Sequence, residues 1–362
     1  MTKRAYNFGA GPCTLPLPCL EEAQSEFLNY MNSGMSVVEM SHRSKEYDKT
    51  HSETMDLAKE VFGVPDDFEA IFVQGGATLQ FAMIPMNLLT SGKKAAYICC
   101  GEWSGKAFKE AKIFGEAYPA WDGKEIKYSR MPNSSEIIIK EETAYLHMTS
   151  NETIGGIRNI EWPEVNIPVV ADMSSDFMSR PIPWEKFDMV YGGVQKNLGP
   201  SGMALCFVRK SMLDNCRKDI ATYLRYDIHV NNKSLYNTPP VFSIYIMGKV
   251  LKWMKAQGGL KDIEANATRK ANLIYGVLDN SGGYYRSHVE KPWRSIMNVV
   301  FRLPTEALEE KFLKEAKTAN FVGLKGHKSV GGCRASCYNA VTDEAVYSLR
   351  DFMEKFQKEN PA

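Results

Sequence analysis

The sequence predicts an α/β protein: a large domain with a mainly parallel central sheet flanked by helices, then a smaller C-terminal α+β domain. Three observations predict it. From about residue 60 to 210, short apolar runs alternate with amphipathic stretches, the rhythm of strand, crossover helix and strand. Several of those runs are apolar at successive positions, as in a sheet covered on both faces. After about residue 265 the pattern changes to three strand-like runs interleaved with two helical ones.

In chain order, EAIFVQ (69–74) reads as a strand and TLQFAMIPMNLL as the helix after it. AAYICC (95–100) reads as a strand, followed by WSGKAFKEAKIFG as a helix. EIIIK, AYLHMTS, IPVVAD, DMVYGG and MALCFVR follow as strands. The stretch 215–290 is helical and loop-rich, with FSIYIMGKVLKWMKAQ a helix closed by Gly258 and Gly259. NVVFRL, FVGLKGH and GCRASCYN then read as strands, with TEALEEKFLKEAKTA and TDEAVYSLRDFMEKFQ as helices. This organisation divides the chain into a large domain over 16–264 and a small one over 265–362, with segment 1–15 packing near the small one.

Composition narrows the function class. The 362 residues are 44% hydrophobic and 24% charged, with a net charge of +1. No strong overall field draws such a chain to nucleic acid or a membrane, although net charge says nothing about local pockets. The basic residues near the start have no apolar run behind them, and no stretch is long enough to span a bilayer. A soluble cytoplasmic protein is expected. The eight cysteines lack the paired spacing of a zinc site, so they read as reduced packing residues, and no metal is expected.

The residues that carry chemistry fall at strand ends, where parallel sheets bind ligands. Lys196 lies in VYGGVQKNLGPSGMALCFV, a glycine-rich turn between two strand-like runs. A lysine that attacks a carbonyl needs such a place: burial lowers its pKa, and glycines let a ring approach the backbone. A loop lysine in a tight hairpin is the plainer alternative. Asp172 ends IPVVAD; it is either the partner of a protonated ring nitrogen or a helix cap beside Ser174 and Ser175. Gly75, Gly76, Ala77 and Thr78 link a strand to a helix, as a phosphate site or as an ordinary turn. Thr153 follows another strand and either bonds a ring substituent or caps. Trp103 either stacks on a ring or fills the core. Together a phosphate cup, a stacker, a carboxylate and a lysine on successive strand ends suit pyridoxal 5'-phosphate (PLP).

At these residues the chain resembles the phosphoserine aminotransferases, class V members of the fold-type I PLP enzymes. The resemblance runs nearly end to end: YNFGAGPCTLP, MSVVEMSHRSKEY, FVQGGATLQF, SNETIGGI, ADMSSDFMSRP, YGGVQKNLGPSG, YNTPPVFSIY and GHKSVGGCRASCYNA. It implies transfer of an amino group from L-glutamate to 3-phosphohydroxypyruvate, giving O-phospho-L-serine and 2-oxoglutarate. A related reaction on a phosphorylated four-carbon keto acid would serve pyridoxine synthesis. By the same resemblance Lys196 binds PLP and moves the α-proton, and Asp172 pairs with the ring nitrogen. Trp103 stacks, Thr153 and Gln195 bond ring substituents, and Ala77 and Thr78 belong to the phosphate cup. Asn237 and Thr238 would reach the cofactor of a neighbouring subunit, which implies a homodimer with shared sites. Arg334 would grip the α-carboxylate, and His42, Arg43, His327 and Lys328 would receive a phosphate or a side-chain carboxylate.

Two positions depart from the family pattern. Lys328 stands where arginine is expected, a point charge without the planar fork. Thr78 stands where some relatives have arginine, leaving more of the phosphate to backbone N–H groups. Other readings fit less well. An alanine–glyoxylate type enzyme has no need of a second anion pocket, and a desulfurase of this class usually stacks histidine rather than Trp103. A non-catalytic binding protein would not need Lys196, Asp172 and Arg334 together. GEWSGKA (101–107) is one residue short of a nucleotide phosphate loop and lacks the hydroxyl after Lys106.

Overall fold

A computed structural model describes residues 4–361. Seven strands form the central sheet: β1 (Phe68–Gln74), β2 (Lys94–Cys99), β3 (Glu116–Asp122), β4 (Thr143–Thr149), β5 (Val169–Asp172), β6 (Met189–Gly193) and β7 (Met203–Arg209). Their order is β1-β7-β6-β5-β4-β2-β3. Only β7 runs antiparallel to its neighbours, between β1 and β6; the other pairs are parallel. The carboxyl ends of β1, β2, β4, β5 and β6 therefore share one edge with the start of β7, where Met203 pairs with Gln74 and Ala204 with Gly193.

Period-two alternation explains why both faces of this sheet are apolar. Phe68, Ala70, Phe72, Leu146, Val190 and Phe207 enter one buried cluster, while Ile71, Val73, Tyr145, Val170, Tyr191 and Cys206 enter another on the opposite face. Helices α1 (Leu17–Glu26) and α2 (Lys45–Phe62) contribute to the first, and α3 (Gly76–Leu88) and α4 (Glu102–Phe114) to the second. The start of α2 is set by Ser44, whose Oγ accepts the Tyr47 N–H at 3.2 Å, and its end by Gly63 at φ +60°. The predicted helix at 242–257 is α5 (Val241–Lys255), followed by Gly258 and Gly259 in the left-handed region.

A third buried cluster forms the C-terminal part. It joins α6 (Leu260–Asn280), β8 (Asn298–Phe301), α7 (Glu306–Thr318), β9 (Cys333–Ser336) and α8 (Asp343–Glu359). Helix α6 crosses the 264/265 division: Ile263 packs in the large core and Ala267 onward in the small one. Phe8 is wholly buried in the small cluster, and Tyr6–Asn7 pairs in parallel with Phe321–Val322. No helix among the described residues is long and apolar enough to cross a membrane.

Two expected strands differ. EIIIK is a 3-10 turn (Ser134–Glu136) running into extended chain outside the sheet, where Ile137 and Ile139 pack inward and Ile138 is exposed. The run is amphipathic but lies beyond the edge strand β3, to which it returns one backbone bond, Ile138 N–H to Ala120 at 3.0 Å. FVGLKGH is strand only at Phe321–Val322. The chain turns at Gly323, at φ +80°, where a Cβ would lie 2.4 Å from the Gly9 nitrogen. Strand β3 itself, interrupted by Pro119 and half-exposed, is an element the apolar-run reading passes over.

Candidate active site

The shared strand edge opens into a cavity of about 440 Å³, within the range of small-molecule sites. Ala77, Thr78, Trp103, Thr153, Asp172, Gln195 and Lys196 all line it. Lys196 lies in the turn between β6 and β7 and is 8% exposed. Its Nζ donates to Thr153 Oγ1 at 2.6 Å and lies 5.8 Å from the Trp103 ring centre. Burial is the main force on this amine and lowers its pKa to about 8, against the opposing pull of Asp172 and Glu152. Glycines make the turn possible: a Cβ at Gly192 would meet the Phe177 ring at 2.6 Å. The N-terminal segment closes over it, with Cys13 N–H donating to the Gln195 carbonyl at 3.2 Å and its thiol to that of Lys196.

Asp172 ends β5, buried at 4% exposure. Its Oδ1 accepts the Ser174 N–H at 2.9 Å and the Ser174 hydroxyl at 2.6 Å, leaving Oδ2 for a ligand. Burial raises its pKa, while the two Ser174 bonds and the Lys196 charge oppose the rise. Ser174 is thus more than a cap neighbour, since its Oγ also accepts the Gly193 N–H at 2.9 Å and ties β5 to β6.

Helix α3 points its N-terminus at the same cavity. Gly75 and Gly76 take φ of +89° and +62°, and no side chain caps the helix start. The first-turn N–H groups and the helix dipole therefore face the cavity as an anion site, with Thr78 in the first turn and no basic residue there.

Sequence reasoning did not single out Glu152. Its side chain is fully buried, with Oε2 accepting the Trp103 N–H at 3.0 Å. Burial raises its pKa to about 7. Gly101 leaves it room, since a Cβ there would lie 2.5 Å from Glu152 Cγ. The only signal was a carboxylate beside Thr153 in SNETIGGI. Thr149, Asn151 and Ser175 also line the cavity from stretches whose neighbours were singled out.

Arg334, on β9, reaches the same segment: its NH1 donates to the Thr153 carbonyl at 3.4 Å, and its Nε has no partner among the described residues. Arg334 is not itself among the residues lining the cavity, and the other expected residues lie elsewhere on this chain. His42 is half-buried and Arg43 exposed, just before α2. His327 Nδ1 pairs with Ser329 Oγ at 2.7 Å beside the exposed Lys328. Asn237 and Thr238 are exposed, with the Thr238 carbonyl accepting from Gln74 at 2.9 Å.

The cavity suits PLP. An amine, a buried carboxylate and an uncapped helix start converge on it, as the ring aldehyde, ring nitrogen and phosphate require. Two buried polar atoms of its lining residues, Trp103 Nε1 and Thr149 Oγ1, have no partner among the described residues, as expected of a wall completed by a ligand.

Known proteins resemble this chain over nearly its whole length. Residues 5–349 match the family described as aminotransferase class-V. The chain is 50% identical over 361 residues to the phosphoserine aminotransferase of Lysinibacillus sphaericus, covering 99% of this chain and 100% of that protein. The solved phosphoserine aminotransferase from Bacillus circulans subsp. alkalophilus is similar at a TM-score of 0.97 and 47% identity, over 99% of both chains. The PLP-bound phosphoserine aminotransferase from Trichomonas vaginalis is similar at a TM-score of 0.93 and 38% identity, over 97% of this chain and 100% of that one.

Proposed function

The chain belongs to the class-V aminotransferase family, and on that premise we propose that Lys196 carries the cofactor and moves the proton within the strand-edge cavity. Its activity is that of a phosphoserine aminotransferase, with PLP as cofactor. The substrates we assign are L-glutamate and 3-phosphohydroxypyruvate, taken in turn at one site in a ping-pong cycle. The observation that carries the site assignment is the Lys196 amine, buried in the cavity and held 2.6 Å from Thr153 with Asp172 in the same wall.

When bound, PLP supplies an electron-withdrawing ring that stabilises negative charge at the substrate carbon losing its proton. The chain's own groups do the rest. Asp172 Oδ2 holds positive charge at the ring nitrogen. Lys196, lowered to about 8, is poised to take up and return a proton near neutral pH. Thr153 fixes where Nζ sits, and Gln195 and Trp103, which line the same cavity, would bond a ring substituent and cover the ring face. The start of α3, with Ala77 and Thr78, binds the cofactor phosphate through backbone N–H groups.

Arg334 grips the α-carboxylate common to both substrates, and burial, which lowers its pKa, strengthens that contact by keeping water away. His42, Arg43, His327 and Lys328 serve the distal phosphate or carboxylate. We assign a homodimer with shared sites, in which Asn237 and Thr238, exposed on this chain, reach a partner's cofactor. The division into 16–264 and 265–362, with segment 1–15 near the small domain, is supported by the change of buried cluster along α6 and by the burial of Phe8 in the small cluster; residues 1–3 and 362 lie outside the described residues. Eight unpaired cysteines suit a reducing cytoplasm. The related four-carbon phosphorylated substrate of pyridoxine synthesis would use the same groups.

An absorbance titration tests this reading. The visible band of the PLP-loaded protein should fall with L-glutamate and return with 3-phosphohydroxypyruvate. Return only with other keto acids would discard the phosphorylated substrate. A second test concerns the distal pocket. Arg43→Ala should raise KM for 3-phosphohydroxypyruvate about 10- to 100-fold, the loss of one charge-assisted bond. PLP affinity should change less than about threefold, because Arg43 lies outside the phosphate cup. Equal losses in both would place Arg43 in the cofactor site instead.

A further inference from the structure

The large and small domains meet through a buried chain of polar side chains. Asn151, which lines the cavity, donates from Nδ2 to Ser175 Oγ at 2.8 Å and to Asn298 Oδ1 at 2.9 Å. Its Oδ1 accepts the Ser295 hydroxyl at 2.6 Å. Asn298, on β8, donates from Nδ2 to Ser336 Oγ at 3.0 Å and to Tyr338 OH at 3.3 Å. The Tyr338 hydroxyl then donates to the Ala10 carbonyl at 2.9 Å. Asn298, Ser295, Ser336 and Tyr338 have no measurable exposure, and Asn151 is 3% exposed.

This arrangement is not what packing alone would select. Val299, Phe301, Cys333 and Ala335 already give β8 and β9 an apolar core. A buried amide is tolerated there only when each of its groups is bonded, and in return it fixes one relative placement of the parts it joins. The parts joined here are informative. Asn298 pairs with Ser336 across the β8–β9 ladder, and the next pair on the same face is Val300 with Arg334. The segment 151–153 thus meets β9 at two places, Asn151 through Asn298 and Thr153 directly through Arg334.

We propose that Asn298 is a positioning residue for substrate binding: by linking Asn151 to Ser336 and Tyr338, it holds Arg334 at a fixed distance from the cofactor cavity. This rests on the reading of Arg334 as the α-carboxylate clamp. A two-pronged guanidinium contact tolerates little displacement, and a shift of about 1 Å is enough to cost a large part of the effect. Asn298 touches neither cofactor nor substrate, so its influence should fall on carboxylate binding and leave cofactor binding alone.

The test measures two equilibria besides turnover. One is the affinity of the PLP-loaded protein for glutarate, a dicarboxylate without the reacting amino group. The other is the affinity of the cofactor-free protein for PLP, followed by tryptophan fluorescence. Asn298→Ala should weaken glutarate binding and raise KM for both substrates about tenfold, with PLP affinity within about twofold of the parent. In an Arg334→Ala background the same substitution should add nothing, because its effect is routed through Arg334. Ser336→Ala, which removes one hydroxyl and leaves the packing, should weaken glutarate binding about threefold and keeps the test open if Asn298→Ala does not fold.

Unchanged glutarate binding in a folded Asn298→Ala or Ser336→Ala protein would overturn the proposal while leaving the Arg334 clamp intact. Loss of PLP affinity in step with glutarate would also overturn it, placing Asn298 in the cofactor wall. An Arg334→Ala protein that still binds glutarate normally would remove the clamp reading itself, and this inference with it.

Discussion

Lys196→Ala should lower kcat/KM by about 10⁴-fold or more and abolish the visible absorbance that depends on covalent attachment. The size of the loss follows from how alone the amine is. Among the described residues Lys196 is the only lysine lining the cavity, and its Nζ is held in place by Thr153. Arg334, a cation bonded to the Thr153 carbonyl, stays charged and cannot exchange a proton at working pH. Lys196→Arg separates charge from proton transfer, since it retains a cation but has no accessible neutral form. It should therefore be nearly as inactive as Lys196→Ala. PLP should still bind both variants through the start of α3, so equilibrium dialysis distinguishes a dead site from an empty one. Activity within about tenfold of the parent in either variant would take Lys196 out of the mechanism.

The cofactor half of this site is written in the sequence because its chemistry sits at strand ends. A strand end is where an apolar run stops, so Asp172 after IPVVA, Gly75 after EAIFVQ and Lys196 between two runs can be found without coordinates. The structure places these residues, with Trp103, Thr153 and Gln195, around one cavity. The proposed substrate groups come only from the family resemblance. His42, Arg43, His327 and Lys328 lie in loops with no periodicity to read, and one chain does not bring them to its own cavity.

What the sequence hid is equally physical. EIIIK has the composition of a strand, but its place beyond the sheet edge is decided by tertiary packing, which local pattern does not encode. Strand β3 lacks a continuous apolar run because it lies at the edge and carries Pro119. Nothing in SNETIGGI marks Glu152; its burial against Trp103 depends on Gly101, about fifty positions away in the chain. Asn298 is the first residue of the strand-like run NVVFRL, and only the β8–β9 register brings it between Asn151 and Ser336.

Asp172→Asn should lower kcat/KM by about 10³-fold, equivalent to about 4 kcal/mol of transition-state stabilisation, while leaving the fold intact. The two halves of that expectation come from different oxygens. Oδ1 is structural: it accepts both Ser174 bonds, and an asparagine oxygen can accept them too, so β5 and the Gly193–Ser174 tie are preserved. Oδ2 carries the proposed function: it would be the negative end offered to a protonated ring nitrogen, on a side chain buried enough to limit screening. The amide replaces that negative oxygen with a donor group, which cannot stabilise the protonated ring. The ring's capacity to take up charge from the substrate carbon falls accordingly, and the loss should appear in kcat for both half-reactions. Glutarate binding should change little, because Arg334 is untouched. The decisive comparison is kcat/KM against thermal stability. A 10³-fold loss at unchanged midpoint identifies Asp172 as an electrostatic partner of the ring. Activity within about threefold of the parent would assign the residue to holding Ser174 and leave the ring nitrogen without a carboxylate.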